Sequence, residues 1–384
     1  MKPSSKFSGR AFLRERVKPC LVCGIAPLPK NRFTLPMLRS SALLLLFFHV
    51  SAQGEEAEEP YRPDRAELVP LPEHQVAFEI DGIETTRWHF DERSPRPFFY
   101  PFHGPSGVSL TRMGHPGAQN HDHHRSIWFA HNKVNGLDFW SDGTGTSIRQ
   151  KHWYRYRDGN DEAVMASALG WYDAEGKELM QQDLVVANLP LEGGEHLLEI
   201  QMTLQPGEGR DTVELDKTNF GFLAVRVAKS LSQYFGGGEI SNSEGQSGEE
   251  ATFGKPARWM DYSGPLAVGQ GANRKTVTEG ITYFDHPGNP RYPTAWHVRS
   301  DGWMGASFCL AEGYLITKDE PLTLRYLLYA HSGAYHTETA EKVAAAFAKR
   351  PGFEIAKSKQ PHRQYEVWRI GAKPKAEEFP TASP

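Results

Sequence analysis

The stretch "HPGAQNHDHHRSIWFAHNKVNGLDFW", residues 115–140, holds five of the chain's sixteen histidines within seventeen residues, with two aspartates and two tryptophans among them. Imidazole titrates near neutrality, so His121, Asp122, His123 and His124 could supply a proton donor and acceptor pair. If the segment is extended, His121 and His123 share one side and Asp122 and His124 the other. Two imidazoles at that spacing can also chelate a divalent metal. No carboxylate follows in Arg125 to Trp128, so a metal would need ligands drawn from His115, His121, His123 and His131, or Asp138. Acid/base work without a cofactor is therefore the first expectation and a divalent metal the alternative. Arg112 and Arg125 flank the cluster with planar donor forks that suit a carboxylate or a ring oxygen.

Aromatic residues supply the second signal. Sugar rings stack their C–H faces on aromatic side chains while polar neighbours take the hydroxyls, and Trp128, Trp140, Trp259 and Trp296 all stand beside polar residues. The run "FDHPGNPRYPTAWHVRSDG" (284–302) reads as a proline-stiffened turn presenting Arg291 and Tyr292, then Trp296 and His297 at the start of a strand. His103 and His331 complete the candidates. The expected roles are acid and base for His121, Asp122, His123, His124, His297 and His331. Substrate contacts fall to His103, Arg112, Arg125, Trp128, Trp140, Trp259, Arg291, Tyr292 and Trp296.

Such residues need a rigid frame, and the pattern predicts strands. From Gln75 onward, short runs such as "QVAFEIDG", "RPFFYPFHG", "RSIWFAH", "AVMASALGWY", "TNFGFLAVRV" and "LTLRYLLYAHSG" alternate or are wholly apolar, bounded by Gly, Asp, Asn or Pro. Strands every ten to fifteen residues with few helical periods indicate an all-β fold, a large antiparallel β-sandwich. One helix is expected at 337–350, N-capped by Thr337. Residues 232–265 read as a long Gly-rich loop.

Residues 1–52 differ from the rest. Nine Lys/Arg against the single acid Glu15 precede "ALLLLFFHV" and a small-residue exit, the composition of a secretory signal peptide or leader, with Met37 as an alternative start. An acidic, Pro-rich linker is expected at 53–74, a single sandwich domain at 75–370 and a polar tail at 371–384. Taking the leader's charge from the formal total of −4 leaves −12 on residues 53–384, which argues against nucleic acid as a partner. Cys20 and Cys23 lie in the leader, so only Cys309 remains for the domain, a lone thiol in an apolar run. The chain carries no GxSxG elbow, Walker A loop, GxGxxG fingerprint, HExxH or EF-hand loop.

The runs "YPFHGPSGVSLTR", "HPGAQNHDHHRSIWFAHNKVNGLDFW", "GKPARWMDYSG", "DHPGNPRYPTAWHVRSDGWMGASF" and "LRYLLYAHSG" together resemble the PmoA-like domain family of exported planctomycete-type bacterial proteins. The resemblance runs from about Gln75 to His336, and the HDHHRSIWFAH block is specific to it. That family has carried the label methane oxygenase. A membrane monooxygenase needs several transmembrane helices, and no stretch after the leader is long and apolar enough to be one. The resemblance implies a galactose-mutarotase-like supersandwich, a fold whose epimerases, polysaccharide lyases and glycoside phosphorylases use His with Glu or Asp on carbohydrate. The expected function is thus an exported carbohydrate-active protein, periplasmic or secreted, working by epimerisation, elimination or glycosidic cleavage. A metal-dependent hydrolase or oxygenase and a non-catalytic carbohydrate-binding protein are the alternatives. The expected partner is a sugar or glycoside, with no integral membrane domain in the mature chain.

Overall fold

The computed structural model describes residues 62–372, except 116, 119 and 120. The leader expected at 1–52, the first part of the linker and the tail beyond 372 lie outside the described residues. What is described is an all-β sandwich of two eight-stranded antiparallel sheets.

The first sheet runs β1 (Ala66–Leu71), β2 (Gln75–Ile80), β3 (Ile83–His89), β4 (Phe98–Phe102), β5 (Ile127–His131), β11 (Gly221–Arg226), β16 (Trp303–Ala306) and β15 (Trp296–Arg299). In the second, β12 (Glu239–Asn242), β13 (Trp259–Val268), β14 (Lys275–Asp285) and β18 (Leu322–Ser332) are followed by β9 (His196–Pro206), β8 (Glu178–Pro190), β7 (Ala163–Tyr172) and β6 (Ser147–Arg157). Two ribbons pair β10 (Thr212–Leu215) with β17 (Tyr314–Thr317), and β19 (Phe353–Lys357) with β20 (Tyr365–Arg369).

Between the sheets lies one apolar core, to which Phe78, Phe102, Ile127 and Val225 contribute from the first sheet and Met165, Trp171, Ile200 and Leu328 from the second. Fully burying a side chain of this kind is worth about 1.5–3 kcal/mol. This packing holds the domain without a disulfide: Cys309 is buried and free, its thiol pushed up to about 12 by burial, which leaves it inert.

The outer faces of the two sheets differ. On the second sheet, Val164, Ala166, Val185, Trp259 and Leu327 pack under α2 (Thr337–Lys349) and the β19–β20 ribbon through Ala340, Phe347, Phe353 and Val367. With both faces covered, "AVMASALGWY" of β7 is apolar throughout rather than alternating. An ion-pair network fixes the cover: the fully buried Glu199 carboxylate takes Arg325 at 2.6 Å and Arg369 at 2.8 Å. On the first sheet, the outer face carries only a small aromatic cluster of Phe98, Trp128, Trp140 and Trp303. That face remains open.

Three expectations need correction. The stretch read as a linker contains β1, whose Pro70 is tolerated because β1 is an edge strand, so the sheet begins at Ala66 rather than Gln75. The Gly-rich 232–265 segment contains β12, the single-turn α1 (Glu249–Thr252) and the start of β13. Its glycines serve close approach: a Cβ at Gly238 would stand 1.7 Å from the Leu231 carbonyl oxygen, and one at Gly264 2.6 Å from the Gly238 Cα. The N-cap of α2 is His336, not Thr337, and it makes no side-chain capping bond.

Candidate functional site

The open outer face of the first sheet is built by strand register. In-register neighbours of antiparallel strands point to the same side. Trp128 of β5 pairs with Ala224 of β11, Ala224 with Gly305 of β16, and Gly305 with His297 of β15. The next row runs Arg226, Trp303, Arg299. Large side chains thus flank the small Ala224 and Gly305, which leave a trough. Gly305 keeps the trough clear: a Cβ there would sit tightly against the Leu223 carbonyl oxygen, at 3.3 Å, and in van der Waals contact with Cζ2 of Trp303, at 3.6 Å. The trough opens into a cleft of about 550 Å³, lined among others by His121, His123, His124, Trp140, His297 and Trp303.

Residues 121–124 form a turn instead of the extended segment expected, with the His124 N–H donating to the His121 carbonyl at 3.0 Å. The turn brings three imidazoles together, with ring centroids 4.9 Å apart for His121 and His124 and 4.4 Å for His123 and His124. Asp122 is exposed beside Gly114. His124 stacks on Trp128 at 5.4 Å and lies 5.0 Å from Trp303. From the opposite side His297 approaches Trp303 at 5.7 Å. Trp303 is therefore bracketed by two imidazoles and also touches Trp128 and Trp140, at 5.1 and 5.3 Å. The indole N–H groups of Trp128, Trp140 and Trp303 are buried without an acceptor, and Trp303 meets both of the others in T-shaped contacts.

Burial and nearby arginines keep His123, His124 and His297 neutral. Burial, then the positive charge of Arg96, lowers His123 to about 4. Burial also lowers His297 to about 4, although its bond to the Asn219 carbonyl pulls the other way. His124 falls well below the ordinary histidine value, through burial and then Arg226. Since a carbonyl can only accept, Nδ1 of His297 donates to Asn219 at 3.0 Å, which leaves the Nε2 lone pair for the cleft.

The cluster has a fixed support. Arg226, 1% exposed, forms a two-bonded pair with Asp301 at 2.9 and 3.1 Å. Burial works against the Asp301 charge, but Arg226 and His115 hold its carboxyl below the usual value. Nδ1 of His115 accepts the Gly117 N–H, so its Nε2 donates to Asp301 at 3.0 Å. Arg125 pairs with Asp142 at 3.0 and 2.5 Å, while Asp138 accepts the N–H groups of Trp140 and Ser141 and so shapes the loop that places Trp140.

Several expected residues lie elsewhere. Arg112 gives all three of its guanidinium nitrogens to backbone carbonyls, those of Val227, Gly114 and Asp301. Arg291 likewise binds the carbonyls of Phe308, Glu312 and Gly313. Trp296 is buried with its N–H on the Ala257 carbonyl, and Trp259 is buried with its N–H on the Tyr335 hydroxyl. Tyr292 sits near Arg258. His103 donates to the Glu84 carbonyl in a separate hollow beside His196. His331 belongs to the second sheet, where it bonds the buried Asp261 at 2.9 Å. The metal set does not form. Strand alternation sends His131 to the core side of β5, against Phe222, with Nδ1 accepting the Lys133 N–H, and both nitrogens of His115 are engaged. Among the described residues no three His, Cys, Asp or Glu side chains gather in a way that could hold a metal ion.

Sequence reasoning counted Trp303 only among the many aromatics that could meet a sugar, and left out Arg226, Arg299, Asp301, Asn219 and Phe220. Arg226 had a visible signal, a lone charge inside the apolar run "GFLAVRV". The others come together only through the pairing of β5, β11, β16 and β15.

Residues 75–345 match the profile of a family of unknown function, DUF6807. The chain belongs to this family. No curated protein matches it. Solved structures similar to this DUF6807 chain include an aldose epimerase homologue from C. elegans, at 7% identity and TM-score 0.28, covering 70% of this chain and 99% of that one. A polysaccharide lyase matches at 9% identity and TM-score 0.28 over 78% of this chain, and a heparinase III at 11% and 0.28 over 82%. The chain spans 36% and 43% of those two proteins. At these identities and TM-scores the likenesses carry no functional argument. No helix of the described residues is long and apolar enough to cross a membrane.

Proposed function

We propose that this protein is carbohydrate-active, binding a sugar in the cleft of the first sheet and moving protons on it. The observation that carries the reading is the Trp303 platform bracketed by the neutral imidazoles of His124 and His297. Trp303, 3% exposed, forms the floor of the cleft, and Asn132, Ser141 and Asn219 at its wall offer hydrogen bonds to hydroxyls. His297 is the base: its Nε2 takes a proton from a sugar C–H or O–H. The imidazolium so formed gives that proton back to the product at the same or another atom, so His297 ends the cycle neutral, while His121 and His123 line the cleft around it. His124, packed between Trp128 and Trp303, positions the platform. The basic and then apolar leader supports export.

The test is incubation of the purified protein with a panel of monosaccharides and oligosaccharides in deuterated water, followed by proton NMR of the sugars. The expected result is deuterium incorporation or a new unsaturated product with one sugar class. His297→Asn should abolish it while ligand binding persists, and Trp303→Ala should abolish binding. Binding without any turnover would make the protein a carbohydrate-binding module, and sugars that neither bind nor exchange would overturn the reading.

A further inference from the structure

The cleft does not end at the histidines. Asn132, Asn219 and Phe220 line it and also line a second, shallower bay of about 650 Å³, which continues to Lys133, Lys217 and Phe253. Each bay has the volume of a whole small-molecule site, so the continuous groove has room for more than one sugar unit. Its charge is also distinctive. Residues 53–384 carry a formal −12, yet the charged residues lining the two bays are Arg226, Arg299, Lys133 and Lys217 against Asp301 alone.

The arginines are already answered, Arg226 by Asp301 and Arg299 by Glu249 at 2.7 Å. Lys133 and Lys217 are exposed, and among the described residues neither ammonium meets a carboxylate. A backbone hydrogen bond from the Asp216 N–H to the Lys133 carbonyl, 3.0 Å long, ties their two loops together. Two exposed lysines on adjoining loops that line the same end of a groove, on a protein of opposite net charge, make a local anion-attracting field.

We infer that the substrate is an acidic oligosaccharide of at least two units, with one ring on the Trp303 platform and an anionic unit over Lys133 and Lys217. This rests on the carbohydrate reading of the cleft. The test measures calorimetric binding of the full chain to uronate oligomers of one, two and four units, their carboxyl-reduced counterparts, and a sulfated oligomer of matched length. Acidic oligomers should bind more tightly as length rises from one to four units and weaken with added salt, and the sulfated arm shows whether carboxylate or sulfate is preferred. The double variant K133Q/K217Q, at exposed positions that leave the core untouched, should lose about tenfold in affinity for the acidic tetramer and nothing for the single unit. Equal binding of acidic and neutral oligomers, abolished by Trp303→Ala, would overturn the inference and leave the carbohydrate reading standing. Absence of binding by every oligomer would overturn both.

Discussion

Arg226 and Asp301 offer the sharpest test of how the cleft is held. The guanidinium is 1% exposed and the carboxylate 31%, they share two hydrogen bonds, and Nε of Arg226 is buried without an acceptor. Removing the carboxylate leaves a buried cation with no counter-charge, whereas removing the cation leaves a carboxylate that still has His115 and partial access to water. Breaking a buried pair from one side costs about 3–5 kcal/mol, and the exposure of Asp301 puts Asp301→Ala near the lower end. Arg226→Met keeps much of the buried volume and should cost about 1 kcal/mol, since replacing a buried ion by an apolar residue can come close to neutral. The double variant should resemble Arg226→Met, giving a coupling of about 3 kcal/mol in the mutant cycle. Urea denaturation of the four proteins at pH 7 measures it. The reasoning fails if Asp301→Ala costs no more than Arg226→Met, or if the coupling is below about 0.5 kcal/mol.

Acid should unfold the domain early. His123, His131, His196, His286 and His297 sit at about 4 in the fold, lowered first by burial, against 6.5 for the free side chain. Between those values the unfolded chain binds protons that the fold refuses, so their contribution to stability is present above about pH 6.5 and drains as the pH falls toward 4. Asp285, raised to about 7 by burial, opposes them by costing stability as the pH rises across the same window. Acid unfolding should therefore take up roughly four protons, and a stability that stays flat from pH 7 to pH 5 would contradict this. Gly305→Val should cost about 1–3 kcal/mol by crowding the Trp303 indole. Calorimetry would show the cost and tryptophan fluorescence the displaced ring; an unchanged spectrum would mean that the trough floor is not set by this glycine. Glu199→Gln should cost about 3 kcal/mol, because it leaves Arg325 without a counter-charge, whereas Arg369 keeps Glu162 at 2.6 Å. Limited proteolysis should then cut near residue 350 while the parent resists, and equal resistance would show that the ion network does not hold the β19–β20 ribbon.

The fold was legible because the strands announce themselves locally. Alternation in "RSIWFAH" already separates Trp128, on the outer side of the sheet, from His131, which faces the core, and it removes His131 from any metal set. The same rule misled at residues 121–124, where two-residue spacing suggested opposite faces. The chain turns there, and the turn puts His123 and His124 in contact. Composition misled at 66–71, where acids and Pro70 suggested a linker, although an edge strand accepts proline.

Local sequence was silent on which distant strands adjoin, and the cleft depends on that. Trp128, Ala224, Gly305 and His297 come from four strands, and nothing within any one of them names its neighbour. A lone arginine in the interior of an apolar strand does narrow the search. Buried and unpaired it would be too costly to keep, so Arg226 demands an acid on a neighbouring strand or loop. The "SDGW" turn between β15 and β16 supplies it as Asp301, immediately beside the row that carries Trp303. The charge that the strand has to neutralise is thus the one sequence feature that ties the histidine cluster to the tryptophan platform.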